Sequence, residues 1–174
     1  MIGRRAFLGL ACFVAAAILS GCQTLPREAR RWQGRFSLVA HSAAQNVSET
    51  GRFELVEAPD FRRLDLLTPL SGVIARIEST SQGASLWFGS SSEPATAPNI
   101  DALLLRRLGF TVPVELLIDL LSGENGSADT GSAGGWQYEI SSRTSSGTPR
   151  RLVFRHESAG QIPEIKLILA VNDA

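Results

Sequence analysis

The side chains that could do chemistry in this 174-residue chain are few and scattered. His41 and His156 are far apart, and no close spacing would bring them to one metal. Serine is abundant, yet Pro69-Leu70-Ser71-Gly72 is not the Gly-x-Ser-x-Gly elbow of hydrolases. Asp65, Asp101, Glu115 and Asp119 stand singly, on faces that the apolar pattern assigns to solvent. No Gly-rich phosphate loop joins a strand to a helix. A Ser, His and Asp assembled only by the fold stays open, because triad members need not be neighbours in sequence. The expectation is a protein that is not an enzyme and holds neither metal nor diffusible cofactor. Of these groups, only the Cys22 thiol has a local context that points to a covalent fate.

That context begins at the amino terminus. Arg4 and Arg5 supply positive charge, and Ala6 to Leu19 is apolar or small, as in the short core of a secretory signal. A membrane-spanning helix would need about 20 apolar residues. Leu19-Ser20-Gly21-Cys22 follows and resembles the lipobox of bacterial lipoproteins, where small residues admit the backbone to a peptidase and the thiol takes the lipid. The resemblance implies removal of residues 1–21, then a diacylglyceryl thioether and an acylated amino terminus on Cys22. Each buried methylene contributes roughly 0.8 kcal/mol, so several chains make a stable anchor. Gln23 stands where lipoproteins retained in the inner membrane usually have Asp, so the expected location is the periplasmic face of the outer membrane.

With Cys12 removed and Cys22 lipidated, no thiol is left for a disulfide, and stability must come from a packed core. A linker, residues 22–30, and a single domain, residues 31–174, are expected. Lys and Arg number 17, as do Asp and Glu, so there is no basic footprint of a nucleic-acid binder. Arg27, Arg30, Arg31 and Arg35 are a local exception. They read either as contacts to anionic headgroups, at about 1 kcal/mol each, or as a solvated linker.

The elements that follow alternate with a period of two. Trp32 to Ala40 predicts a strand with Phe36 and Leu38 on one face, and Phe53 and Leu55 a second. Leu64 and Leu66 mark a third, Val73, Ala75 and Ile77 a fourth, and Leu86 to Phe88 a fifth. Trp136, Tyr138 and Ile140 begin a sixth, Leu152 to His156 a seventh, and Ile165 to Val171 an eighth. Asp101 to Leu108 has helical spacing. A second helix opens at Pro113, places Val114, Leu117, Ile118 and Leu121 on one face, and stops at Gly123. Leu116 and Leu120 widen that face, so the helix must be covered, either by packing on a sheet or as the lid of a cavity. Ser90–Pro98, Ser122–Gly134 and Ser141–Pro149 are dominated by Ser, Gly, Thr, Ala and Pro, lack the apolar content to pack, and read as mobile surface loops.

Four segments together resemble the LolB family. They are Gly34-Arg35-Phe36-Ser37, Leu66-Leu67-Thr68-Pro69-Leu70-Ser71-Gly72, Leu108-Gly109 with Pro113, Leu117, Leu121 and Gly123, and Gly135-Trp136-Gln137-Tyr138. The chain departs from that family at Leu55 and Leu120, where tryptophan is common, at Ser71 in the tip, and in lacking a carboxyl-terminal tryptophan. The resemblance implies a mainly β fold, a half-open antiparallel β-barrel with a short helical lid enclosing an apolar cavity. It implies a monomer that accepts lipoproteins from LolA, a soluble periplasmic carrier, by binding their acyl chains, and inserts them into outer-membrane lipid.

The expected cavity lining is Phe36, Leu38, Phe53, Leu66, Val73, Ala75, Ile77, Leu117, Leu121, Trp136 and Tyr138, and the family places membrane targeting in the Pro69, Leu70, Ser71, Gly72 loop. Leu70 itself could either fold back onto the sheet edge or project. The alternative function is a lipid-anchored structural or assembly factor with a solid β-core that binds a protein partner.

Overall fold

The structure is a computed structural model that describes residues 28–41, 46–70, 72–89, 91, 93–123, 128–158 and 163–172. The signal segment, Cys22 and Ser71 lie outside these residues.

Ten strands form one antiparallel sheet. In chain order they are β1 (Arg30–His41), β2 (Asn46–Ala58), β3 (Phe61–Leu67), β4 (Val73–Thr80), β5 (Gly83–Phe88), β6 (Ala95–Ala97), β7 (Thr130–Ala133), β8 (Trp136–Arg143), β9 (Pro149–His156) and β10 (Glu164–Val171). The order across the sheet is β6-β5-β4-β3-β2-β1-β10-β9-β8-β7. Sequential hairpins build each half, and β1 joins them by pairing with β10. The end strands β6 and β7 are not paired to each other, so the sheet is curled but unclosed.

Alternation puts Phe36, Phe53, Leu55, Leu64, Ala75, Ile77, Leu86, Leu167 and Leu169 in the buried core on the concave face. Two glycines allow the sheet to bend there. Phe53 is directly opposite Gly34, and Phe36 is directly opposite Gly51. A Cβ on Gly34 would sit 2.1 Å from the Ala170 carbonyl oxygen and 2.8 Å from the Phe53 ring. One on Gly51 would sit 2.1 Å from the Leu67 carbonyl oxygen and 2.8 Å from the Phe36 ring. The absent side chains leave room for the rings and for the close approach of neighbouring strands, the usual use of glycine at a barrel corner.

Between β6 and β7 the chain forms α1 (Ile100–Leu108) and α2 (Val114–Ser122). The Asn99 side chain caps α1 by accepting from the Ala102 N–H at 2.8 Å, with Asp101 in the first turn and Arg106 and Arg107 in the last. Pro113 occupies the cap position of α2, so the helix begins at Val114, one residue later than expected from sequence, and Gly123 ends it. Val114, Leu117, Ile118, Leu120 and Leu121 are all buried, which accounts for the wide apolar face of α2.

The three expected loops need correction. Ser90–Pro98 contains β6, Ser122–Gly134 contains β7, and the ends of Ser141–Pro149 belong to β8 and β9. β6 pairs with β5 and β7 with β8 through backbone hydrogen bonds, which leave little signature in small polar side chains. Asp65 is also not a solvent residue: it is 4% exposed. Arg76 donates to its two oxygens at 2.6 and 3.0 Å, and Arg63 lies 3.3 Å away. The arginine stems cover a carboxylate that alternation alone would leave in water. The hydrogen bond to Asp65 holds the Arg76 guanidinium above its ordinary pKa, against the opposing effect of desolvation.

Candidate functional site

The concave face is not filled. A cavity of about 360 Å³ lies between the sheet and the helices. Its deep wall is made by Leu64, Ile77 and Leu86, all buried, together with Phe36, Phe53, Leu66, Ile74 and Ala75. Leu167 and Leu169 of β10 close one flank, and Leu104, Phe110, Val112 and Leu117 cover it from the helical side. Leu38, Ala40 and Val47 continue the wall along β1 and β2. Phe88 and Leu108 line the cavity while remaining partly exposed, so they mark its mouth. Glu49 and Arg107, both exposed, are the charged residues of the lining.

Of the residues expected to line such a space, the structure brings together Phe36, Leu38, Phe53, Leu66, Ala75, Ile77 and Leu117. The other four are elsewhere. Val73 is an exposed residue at the start of β4, beside a register shift between Leu66 and Leu67 that disturbs the alternation. Leu121, one turn past Leu117, lines a separate surface groove with Trp32 and Thr148. Trp136 is buried on β8 edge-on to His156, with ring centroids 5.3 Å apart. Tyr138 lies against Gly131 of β7, where a Cβ would come within 2.6 Å of its hydroxyl.

Sequence reasoning did not select Ala40, Val47, Leu64, Ile74, Leu86, Phe88, Leu104, Leu108, Phe110, Val112, Leu167 or Leu169. Strand alternation already put Leu64, Leu86, Leu167 and Leu169 on usable faces. Glu49 and Arg107 gave no signal, because an apolar pattern passes over charges.

The Leu67–Val73 connection lies at the mouth end of the sheet. Leu66 pairs with Ala75, and Ala75 with Phe88 of the mouth. The Thr68 N–H donates to the Gly72 carbonyl at 2.7 Å, and the Gly72 N–H to the Thr68 hydroxyl at 2.9 Å. These two bonds fasten the base of the loop while Leu70 is 93% exposed, so its side chain projects and is not folded onto the sheet. At the opposite end, Arg30 bonds Glu57 at 2.7 Å, and Arg62 of β3 reaches Glu115 of α2 at 3.2 Å, tying the helix to the sheet.

The histidines remain apart. His41 pairs with Asn46 at 3.0 Å on the surface, and among the described residues no three His, Cys, Asp or Glu side chains are grouped to hold a metal. What the geometry offers is an apolar cavity, open at the end that carries an exposed leucine.

Comparison with known proteins gives this arrangement a family. The family model described as outer membrane lipoprotein LolB matches residues 28–170. The outer-membrane lipoprotein LolB of Cupriavidus pinatubonensis is 26% identical, with 96% of this chain and 95% of that protein covered. That of Cupriavidus necator is 25% identical over 93% and 94%. That of an Azoarcus species is 34% identical over 66% and 62%. Among solved structures, a LolA superfamily protein from Nitrosomonas europaea superposes with a TM-score of 0.39 at 10% identity, covering 82% of this chain and 84% of the other. With all but the last two of the described residues inside the family model, the chain belongs to the outer-membrane lipoprotein LolB family.

Proposed function

We propose that the protein accepts lipoproteins from the periplasmic carrier LolA by taking their acyl chains into the cavity, and inserts them into the outer membrane to which Cys22 anchors it. The observation that carries this reading is the apolar cavity of about 360 Å³ with its open mouth. That volume lies at the lower end of ligand cavities, roughly 300–1,000 Å³, and the open end lets longer chains extend beyond it.

The chemistry is non-covalent. Acyl chains exposed to water lose about 25 cal/mol for each square ångström of apolar surface. The concave face substitutes its own lining, so the chains pass between carriers without crossing water. Directionality needs only that the acceptor hold the chains better than the donor, and the membrane better still. Pro69, Leu70, Ser71 and Gly72 are the residues assigned to meet the membrane, with Leu70 exposed on the loop they belong to.

Ala75 supplies the test, because it is buried on the deep wall and its replacement puts a polar group among apolar ones. In the Cys22→Ala background, the protein should bind a triacylated cysteinyl peptide at about one per chain, and Ala75→Gln should reduce uptake more than it lowers the unfolding midpoint. Uptake and midpoint falling in parallel would favour the solid-core alternative. Transfer from LolA-bound lipoprotein to the purified protein tests the donor directly.

A further inference from the structure

The cavity wall is hydrocarbon except at its mouth, where Glu49 of β2 and Arg107 of α1 join the lining. Nothing about holding acyl tails calls for either charge, since a carboxylate or guanidinium beside hydrocarbon loses hydration and gains no partner. Their position explains them better than the tails do. Both are exposed at the rim, where the tails of a bound molecule end and its polar linkage begins.

We infer that Glu49 and Arg107 form a polar collar that recognises the linkage region of a triacylated cysteine, and that Glu49 discriminates against phospholipid. The inference rests on the acyl-binding reading of the same cavity. A triacylated cysteine has no charge at its amino terminus. It presents ester and amide carbonyls, which accept hydrogen bonds, and amide N–H groups, which donate. Arg107 offers donors only and the Glu49 carboxylate acceptors only. The pair therefore matches both halves of the linkage, and hydrogen bonds to charged groups are the stronger kind.

A diacyl phospholipid brings the same tails but a phosphate at the level of the collar. Arg107 can meet the phosphate, whereas Glu49 faces it as a like charge. Selection by a repulsive group is an economical way to reject a competitor whose apolar part is the same. It matters here because an acceptor seated on a membrane is surrounded by phospholipid.

The experiment uses the mature chain, residues 22–174, with Cys22→Ala and three probes: a synthetic triacylated cysteinyl peptide, the uncharged apolar dye N-phenylnaphthylamine, and vesicles containing phosphatidylglycerol. Arg107→Met keeps an apolar stem, and Arg107→Gln keeps part of the donor capacity. For Arg107→Met, affinity for the triacylated peptide relative to the dye should fall about tenfold, the loss expected for a charged hydrogen bond. Arg107→Gln should lie between it and the wild type. Glu49→Gln should raise, by about threefold or more, the amount of phosphatidylglycerol extracted from protein repurified after vesicle exposure, relative to bound peptide, on the scale of one modest like-charge contact. If the wild type binds dye and peptide while every ratio stays within about twofold in the variants, the collar is overturned and the cavity reading stands. If the wild type takes up neither dye nor peptide, the acyl-binding reading fails, and the collar with it.

Discussion

Leu70 shows what one side chain can contribute when the backbone beneath it is fixed. It is 93% exposed on a loop closed by Thr68 and Gly72, so water surrounds nearly all of its apolar surface. Moving such a side chain into lipid gains roughly 1.5–3 kcal/mol, and a carboxylate there reverses the gain. Leu70→Glu should leave the unfolding midpoint and acceptance from LolA near wild type, while onward transfer to membranes drops sharply. Assays of the two half-reactions check this, and lost acceptance with preserved release would overturn it. Asp65 is the opposite kind of residue, buried between Arg76 and Arg63 with bonds as short as 2.6 Å. Asp65→Asn keeps the shape and removes the charge, leaving two guanidinium groups without their shared counterion. Because Arg76 retains contact with water, the expected cost is moderate, about 1–3 kcal/mol. Chemical denaturation measures it.

At the scale of elements, the bend that makes a cavity depends on Gly34 and Gly51 lying opposite Phe53 and Phe36. Gly34→Ala would drive a methyl group into the Ala170 carbonyl as well as the Phe53 ring, and backbone cannot yield as a side chain does. Overpacking of this kind costs about 1–3 kcal/mol, so the thermal midpoint should fall by roughly 3–10 °C. A midpoint unchanged within about 2 °C would show that the strands can separate there at no cost. Eight strands and both helices were legible because burial on one face imposes a period that apolar residues record. β6 and β7 were not, since an edge strand of Ala, Thr, Gly and Ser is held by its neighbour's backbone. The same reasoning divides the site. Phe36, Leu38, Phe53, Leu66, Ala75 and Ile77 could be placed from alternation, whereas Val73 was misplaced by a register shift that alternation does not reveal. Trp136 and Tyr138 have the right period, but they lie on β8, where their neighbours are His156 of β9 and Gly131 of β7, away from the cavity. Periodicity assigns a face and not a position along the sheet.

For the whole molecule the question is what keeps it on a membrane, and magnitudes decide it. No helix among the described residues is long and apolar enough to cross a membrane. The Leu70 tip can contribute roughly 3 kcal/mol at most, whereas a dissociation constant of even 1 mM requires about 4.1 kcal/mol. The tip can therefore touch a bilayer during delivery but cannot hold the protein there. On the proposed reading, several acyl chains on Cys22, at roughly 0.8 kcal/mol for each buried methylene, would exceed that requirement many times over. The proposed function thereby assigns anchoring and delivery to separate residues, one permanent and one transient. Cys22→Ala, made behind a signal peptide that is cleaved without a lipobox so that residues 1–21 are absent, should then move the folded domain from the membrane pellet to the soluble periplasmic fraction, and fractionation followed by a salt and carbonate wash measures the shift. Persistence of the variant in the washed pellet would mean that some other surface binds the membrane tightly. Expressing Leu70→Glu in the same background identifies whether that surface is the tip, because release by the second substitution would give Leu70 an anchoring energy larger than one side chain can supply.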